Sequence, residues 1–140
     1  MSEDLTTKKG FNAAAKVDFA GHLDIYATSV QYGVAETEMF FGPQHLTVIG
    51  SMHGAGVVGI VDRVCGAGCQ CFKLDGATRF TTIELKRNFL ATATSGLVTR
   101  DARMIQSGRN TQVWDADVAC EDGRVFASFL CSQMVLWPKP

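Results

Sequence analysis

The sequence predicts an α+β fold in which a curved antiparallel β-sheet wraps around one long central helix. A strand pair precedes residues 53–72, a segment of helical length that is almost entirely apolar or glycine. Four strand candidates follow this segment, with no second long helix among them. A helix that is apolar nearly all round has to be enclosed, and a curved antiparallel sheet is the simplest enclosure.

The residues before the helix predict a short leading segment and a β-hairpin. Residues 1–20 carry an amphipathic pattern that indicates a short helix or an ordered arm. Its apolar positions are Phe11, Ala14, Ala15, Val17 and Phe19. Residues 24–41 have the pattern of two strands, and Gly33 between them is expected to form the hairpin turn.

The central helix is predicted over residues 53–72. Its polar side chains are His53, Asp62, Arg63 and Gln70. Five glycines lower its intrinsic helix propensity by about 1 kcal/mol each relative to alanine, so packing has to stabilise it. The same small residues let a sheet or a second helix approach very closely.

Four strands are predicted after the helix, as a meander. Residues 79–90 have the alternation of a half-exposed antiparallel strand, with Ile83, Leu85 and Phe89 on one face. The polar residues expected on the other face are Thr82, Glu84, Lys86 and Asn88. The remaining strands are predicted over residues 96–105, 111–120 and 125–137.

Length and composition limit the classes of protein. The 140 residues suit one domain, 1–140, with residues 1–20 as its N-terminal arm. The net charge is -1 and like charges form no run, which argues against a nucleic-acid partner. The N-terminus lacks the apolar core of a signal peptide, and no apolar stretch is long enough to span a bilayer. A cytoplasmic protein without a membrane partner is expected.

The cysteines and histidines do not predict a metal site. Three of the five cysteines crowd the central helix, where they are expected to be reduced, buried, small apolar residues rather than a disulfide framework. The three histidines have none of the compact spacings of zinc ligands.

Several short motifs, taken together and in order, carry a family resemblance. They are Gly50-Ser51-Met52-His53-Gly54, Asp62 nine positions after the histidine, the strand TTIELKRNFL, the turn SGRNT and the closing segment DGRVFASFLCSQMVL. In this combination the chain resembles hotdog-fold acyl-CoA thioesterases of the phenylacetic-acid-degradation (PaaI-like) type, over roughly residues 20 to 137. The resemblance implies a hotdog fold and hydrolysis of an acyl-CoA to free acid and coenzyme A, without a metal or redox cofactor.

The resemblance also implies roles for single residues. The backbone N–H of Gly54 would polarise the thioester carbonyl at the start of the helix, where unpaired N–H groups and a partial positive charge face a developing oxyanion. Asp62 would activate water or attack the carbonyl itself. Thr82 would hold this carboxylate or the water, and His53 would orient the substrate.

The resemblance places substrate-binding residues in two loops. Thr47 stands where the family often has asparagine, and Ala55 where it often has a second glycine. The turn of Ser107, Gly108, Arg109 and Asn110 matches the region near the coenzyme A phosphates, which suit a guanidinium group.

Each of these residues also has a purely structural interpretation. Asp62 can be interpreted as a structural acid. However, the residues three and four positions away on the helix include no charge partner, which favours a functional interpretation. His53 is also explained as a helix cap, Thr82 as an ordinary strand residue and Arg109 as a solvated charge. These alternatives stay open at the level of sequence.

Helix geometry predicts a site shared between chains. Nine residues of helix separate His53 from Asp62 by roughly 13 Å and about half a turn, so the two side chains point to opposite sides. A site that uses both therefore needs two chains, which fits the homodimers and homotetramers of the family. The alternatives are a non-catalytic acyl-CoA-binding or scaffolding hotdog protein, which Thr47 and Ala55 favour, and a hotdog dehydratase or hydratase, whose proline and aspartate patterns are missing.

Overall fold

The computed structural model describes residues 6–72 and 74–140. The helices are α1 (Lys8–Ala14), α2 (Phe19–His22) and α3 (Gly54–Cys71), with short 3₁₀ segments at Ala15–Val17 and Pro43–His45. The strands are β1 (Ile25–Gln31), β2 (Val34–Phe41), β3 (Arg79–Phe89), β4 (Gly96–Ser107), β5 (Thr111–Cys120) and β6 (Val125–Leu136). The predicted hairpin turns at Gly33, whose φ of +83° suits glycine.

Helix α3 is the centre of the fold, as the sequence predicts. His53 caps its N-terminus, because the His53 Nδ1 atom accepts a hydrogen bond from the backbone N–H of Ala55 at 3.0 Å. The apolar side chains along α3 pack against all six strands described above. At Gly68 the Trp114 ring comes so close that an added Cβ would lie 2.5 Å from it. Packing against the sheet therefore stabilises this glycine-rich helix.

Within the described residues, the strands form one antiparallel sheet in the order β1-β2-β4-β5-β6-β3, curved around α3. The predicted α+β architecture of a sheet around one central helix is confirmed. No helix in residues 6–72 and 74–140 is both long and apolar enough to cross a membrane.

The predicted meander of four strands is wrong at its first strand. β3 does not pair with β4 but lies at the edge of the sheet, paired with β6. The link between β3 and β4 passes the start of α3, where the carbonyl of Ala93 accepts the N–H of Met52 at 2.8 Å. Alternation predicts a strand but not its partner, so the sequence did not reveal this crossover.

The predicted faces of β3 are also only partly right. The pairing register with β6 shifts between Thr82 and Glu84, so that Ile83 is an extra residue, a β-bulge. Thr82 and Leu85 consequently line the same cavity beside α3, although strict alternation predicts opposite faces for them. Ile83 is half exposed.

The N-terminal segment packs beside α3. Phe11 and Ala15 are buried, as the amphipathic pattern predicts, whereas Val17 and Phe19 are exposed. The Asp18 carboxylate accepts a hydrogen bond from the Arg63 guanidinium of α3 at 2.7 Å, and this ion pair fixes the segment against the helix. Residues 1–5 of the predicted arm lie outside the described part of the chain.

Candidate active site

Asp62 lies on the one face of α3 that the sheet leaves open. Ala55 and Asp62, seven residues apart, are exposed on this face, whereas nine of the 18 residues of α3 are buried. The neighbouring Arg63 turns away to Asp18 and to the carbonyl oxygen of Phe11, at 3.2 Å. Among the ion pairs of the described residues, none involves Asp62. Within residues 6–72 and 74–140, this carboxylate therefore stands on an apolar helix without an ion-pair partner.

The partner of Asp62 is the hydroxyl group of Thr82. Thr82 Oγ1 donates a hydrogen bond to Asp62 Oδ1 at 2.7 Å, a distance typical of a hydroxyl donating to a charged oxygen. The contact joins the middle of α3 to the edge strand β3, and the bulge at Ile83 follows directly after it. The structure thus brings together two of the predicted site residues.

Two open cavities meet at this pair. One has a volume of about 650 Å³ and runs along α3 towards its N-terminus, past Ala55, Val58 and Gly59. The other, of about 340 Å³, runs towards the C-terminus between Phe11 and Phe80. Asp62 and Thr82 border both cavities, and the remaining lining is mainly apolar. The carboxylate is thus accessible to a long ligand that lies along the helix.

Gln133 is a residue of this site that the sequence interpretation missed. It is 0% exposed on β6, opposite Thr82, and its Nε2 lies 3.0 Å from Thr82 Oγ1. The signal was present in the sequence, since Gln133 is a polar residue among the inward-facing Phe129, Cys131 and Val135. A polar group at a core position has to find a hydrogen-bond partner.

Gly54 lies apart from Asp62 within one chain. Its first-turn position borders a separate cavity of about 170 Å³, lined also by Met52, Phe89 and Ala93. Eight residues of helix place the two positions about 12 Å apart along the axis. His53 is exposed, and its Nδ1 is used in capping the helix. The predicted N-terminal and mid-helix residues therefore do not meet in one chain.

Two thiols of α3, those of Cys65 and Cys69, are groups of the core. A hydrogen bond from the Cys65 thiol to Cys131, together with burial, holds the pKa of Cys65 well above its usual value. Burial raises the pKa of Cys69 to about 12. Both side chains are buried, which agrees with the predicted role as small apolar residues.

The comparison with protein families identifies the chain. The family model described as the thioesterase superfamily matches residues 49–127, more than half of the sequence. The chain belongs to this superfamily. The matched range holds Gly54, Asp62 and Thr82, together with the hydrogen bond that joins the last two.

Proteins similar to this thioesterase in sequence or structure support the family assignment. A Haemophilus influenzae protein named, provisionally, an esterase is 27% identical over 120 residues, which cover 85% of this chain and 86% of the relative. The crystal structure of a Haemophilus influenzae thioesterase superposes with a TM-score of 0.85 at 25% identity, covering 93% and 90% of the two chains. The E. coli PaaI protein, from the phenylacetic acid degradation operon, shares the fold with a TM-score of 0.81 at 20% identity, covering 96% and 95%.

These comparisons confirm the predicted hotdog thioesterase fold and the assignment as a thioester hydrolase. Among the described residues, no three His, Cys, Asp or Glu side chains come together as a possible metal site.

The predicted substrate-binding residues of the thioesterase lie outside both cavities of Asp62. Thr47 is in the loop before α3, where its hydroxyl is 3.1 Å from Ser51 Oγ. In the β4–β5 turn, the N–H of Gly108 donates to the carbonyl of Thr111 at 2.8 Å. The guanidinium of Arg109 lies 4.6 Å from the centre of the Trp137 ring, and the backbone carbonyl of Asn110 accepts the N–H of Val135. Ser107 is exposed at the end of β4.

Proposed function

We propose that this thioesterase hydrolyses an acyl-CoA to the free acid and coenzyme A, at a site shared between two chains. The observation that carries the proposal is the exposed Asp62 carboxylate, held by Thr82 at the junction of two mainly apolar cavities. An acyl-CoA is long and has its reactive bond between an apolar acyl chain and a pantetheine arm. Such a ligand suits a carboxylate at the junction of two clefts.

In the proposed reaction Asp62 acts as general base or as nucleophile. As base, it takes a proton from the water that attacks the carbonyl carbon. The carbon–sulfur bond then breaks, and the departing thiolate takes up the proton. As nucleophile, Asp62 attacks the carbonyl carbon and the carbon–sulfur bond breaks, which gives an acyl anhydride of Asp62 and the departing thiolate. Water then hydrolyses this anhydride to the free acid and regenerates Asp62, and the thiolate takes up a proton released in that step. Thr82 donates to Asp62 Oδ1 in both cases, so Oδ2 would be the oxygen that takes the proton or attacks the carbonyl carbon.

The oxyanion would be stabilised by the backbone N–H of Gly54 from a second chain. Gly54 and Asp62 border different cavities of one chain, which supports a shared site. His53 would help to orient the substrate next to this N–H group. Unpaired N–H groups in the first turn of a helix, with the partial positive charge of the helix end, favour negative charge on the carbonyl oxygen.

A homodimer, or a homotetramer made of two dimers, is the proposed assembly. In the sheet formed by the described residues, β3 is an edge strand that carries the exposed apolar side chains of Ile83 and Phe89, and the exposed Leu90 follows it directly. Val48 and Ile49, in the loop before α3, are also exposed. Apolar side chains on an edge strand favour pairing with another chain.

Coenzyme A would be bound by residues of the two loops. The exposed Arg109 guanidinium would contact the nucleotide phosphates, with Ser107, Gly108 and Asn110 shaping the turn, and Thr47 would line the substrate path beside the helix. Phosphates prefer a guanidinium because it offers several donors in one plane.

The release of free thiol from a panel of acyl-CoAs tests the proposal. We expect hydrolysis of at least one acyl-CoA, measured with a chromogenic thiol reagent against a blank of enzyme alone that accounts for the protein's own cysteines. Tight binding of acyl-CoAs without thiol release would instead support the non-catalytic alternative. Thr47 favours that alternative, because its hydroxyl group is hydrogen-bonded to Ser51.

A further inference from the structure

We propose that Gln133 is a positioning residue of the thioesterase site, which acts by fixing the direction of the hydrogen bond from Thr82 to Asp62. The inference rests on the proposed function for its link to catalysis. Its structural part, the effect of Gln133 on Thr82, stands by itself.

The hydroxyl group of Thr82 has one hydrogen, which it can donate to only one acceptor at a time. Asp62 Oδ1 lies 2.7 Å from Thr82 Oγ1, nearer than either polar atom of Gln133, at 3.0 and 3.2 Å. A carboxylate can only accept, so the hydrogen of Thr82 points at Asp62. Thr82 then offers its lone pairs to Gln133.

Only the nitrogen of the Gln133 amide can use those lone pairs. Gln133 Nε2 is the nearer atom at 3.0 Å, and it also faces the Cys131 sulfur at 3.3 Å. An amide turned the other way would place an acceptor oxygen nearest to Thr82 and would compete with Asp62 for the single hydrogen. The donors therefore run in one sequence, from Gln133 to Thr82 to Asp62.

The burial of Gln133 fixes the direction of these hydrogen bonds. Its side chain is 0% exposed, so water does not offer an alternative partner. Its neighbour across the sheet, Gln112, bonds elsewhere: Gln112 Nε2 donates to the carbonyl of Phe72, and Gln112 Oε1 accepts from Trp114. Gln112 is therefore a matched residue, equally buried in the same row of the sheet, that does not contact Thr82.

The test compares Gln133→Met with Gln112→Met, each of which removes one buried amide. Without the donor, Thr82 is free to turn, and Asp62 loses its fixed orientation. We expect Gln133→Met to lower kcat by about tenfold, with KM changed by less than about twofold. Gln112→Met should keep kcat near the wild-type value, even if it lowers the unfolding temperature by as much as Gln133→Met does.

A double-mutant cycle with Thr82→Val separates a positioning role from a general loss of packing. If Gln133 acts through Thr82, then Gln133→Met should change kcat little in a Thr82→Val background. An equal loss of kcat in both backgrounds, or an unchanged kcat in Gln133→Met alone, would overturn the proposal.

A second variant and a second measurement keep the test decisive. Gln133→Glu preserves the shape of the side chain. When it is ionised, its oxygen replaces the donor by an acceptor, which draws the Thr82 hydrogen away from Asp62, so this variant should also lower kcat. It replaces Gln133→Met in the test if the Met variant does not fold. Three-bond NMR couplings to the Thr82 methyl carbon report the χ1 rotamer without any turnover. We expect one rotamer in the wild type and averaging in Gln133→Met. Absence of thiol release by the wild type would contradict the proposed function, whereas unchanged couplings in Gln133→Met would contradict this inference.

Discussion

Asp62 is the residue on which the proposed chemistry depends. Replacing it by asparagine keeps the shape and still lets Thr82 donate to an oxygen, but the amide can act neither as base nor as nucleophile. We expect Asp62→Asn to lower kcat by about 10²- to 10⁴-fold. Thermal unfolding and sedimentation should match the wild type. Turnover near the wild-type rate in a folded variant would rule out Asp62 as the reacting carboxylate.

Arg109 tests where the nucleotide of coenzyme A binds. Its side chain is exposed and lies over the Trp137 ring, so its replacement leaves the core intact. We expect Arg109→Ala to raise KM for an acyl-CoA by roughly threefold to tenfold, because a charge-assisted contact to phosphate is lost. The control substrate is the matching acyl-pantetheine, which lacks the nucleotide and should show little change. Equal effects on both substrates would mean that Arg109 does not contact the phosphates.

At the scale of residues, the sequence predicts what is chemically unusual. Asp62 stood out as a candidate because a carboxylate on an apolar helix, with no charge partner one turn away, favours a functional interpretation. Thr82 was predictable through the family resemblance alone, because alternation put it on the face opposite Leu85. Gln133 was marked in the sequence only as a polar residue at a core position, and its partner could not be predicted, because the contact with Thr82 joins two strands about 50 residues apart.

Helix α3 illustrates how the packing of one element overrides its propensity. A Cβ at Gly68 would lie 2.5 Å from the Trp114 ring, whereas one at Gly66 would lie 3.5 Å from Phe80, an ordinary contact distance. We expect Gly68→Ala to lower the free energy of unfolding by about 1–3 kcal/mol through overpacking. Gly66→Ala should raise it by about 1 kcal/mol through helix propensity. Urea unfolding measures both, and a stabilising effect of Gly68→Ala would show that the ring moves aside readily.

At the scale of elements, the sequence predicts type and extent better than position. The predicted helix at 53–72 and the observed Gly54–Cys71 agree closely, because an apolar periodic segment with turn residues on both sides has few alternatives. The place of β3 beside β6 could not be predicted, since alternation does not encode the partner of a strand. The bulge at Ile83 was equally hidden, because one extra residue leaves the composition of a strand unchanged.

The assembly can be tested with two isoleucines in similar local structure. Ile83 on β3 and Ile105 on β4 are both extra residues at bulges, 50% and 59% exposed. β3 lies at the edge of the sheet described here and β4 lies inside it. We expect Ile83→Lys to shift the protein towards monomers, because like charges would meet at a paired edge, and Ile105→Lys to leave the assembly unchanged. Sedimentation velocity measures this, and an unchanged assembly in Ile83→Lys would remove β3 from the proposed interface.

The shared site can be tested by mixing two defective chains. A heterodimer of His53→Ala and Asp62→Asn chains holds one doubly damaged site and one site with both residues intact. Refolding an equal mixture gives about half heterodimers, so activity should recover to roughly a quarter of the wild-type value. His53→Ala must be clearly impaired by itself for this comparison, and native mass spectrometry must detect the heterodimers. Activity at the mean of the two parents would then show that each site lies within one chain.

The position of β3 at the edge of the sheet sets the order in which the molecule can be completed during synthesis. In the described part of the chain β3 pairs with β6, whose residues leave the ribosome after those of the other five strands. Until then the nascent chain can form the hairpin and α3, while Thr82 has no neighbouring strand to hold it beside Asp62. Long-range pairing of this kind forms late, because closing the loop has to precede the contacts. A chain that stops before Val125 would therefore contain Asp62 and Thr82 but lack strand β6, which holds β3 and Thr82 beside Asp62.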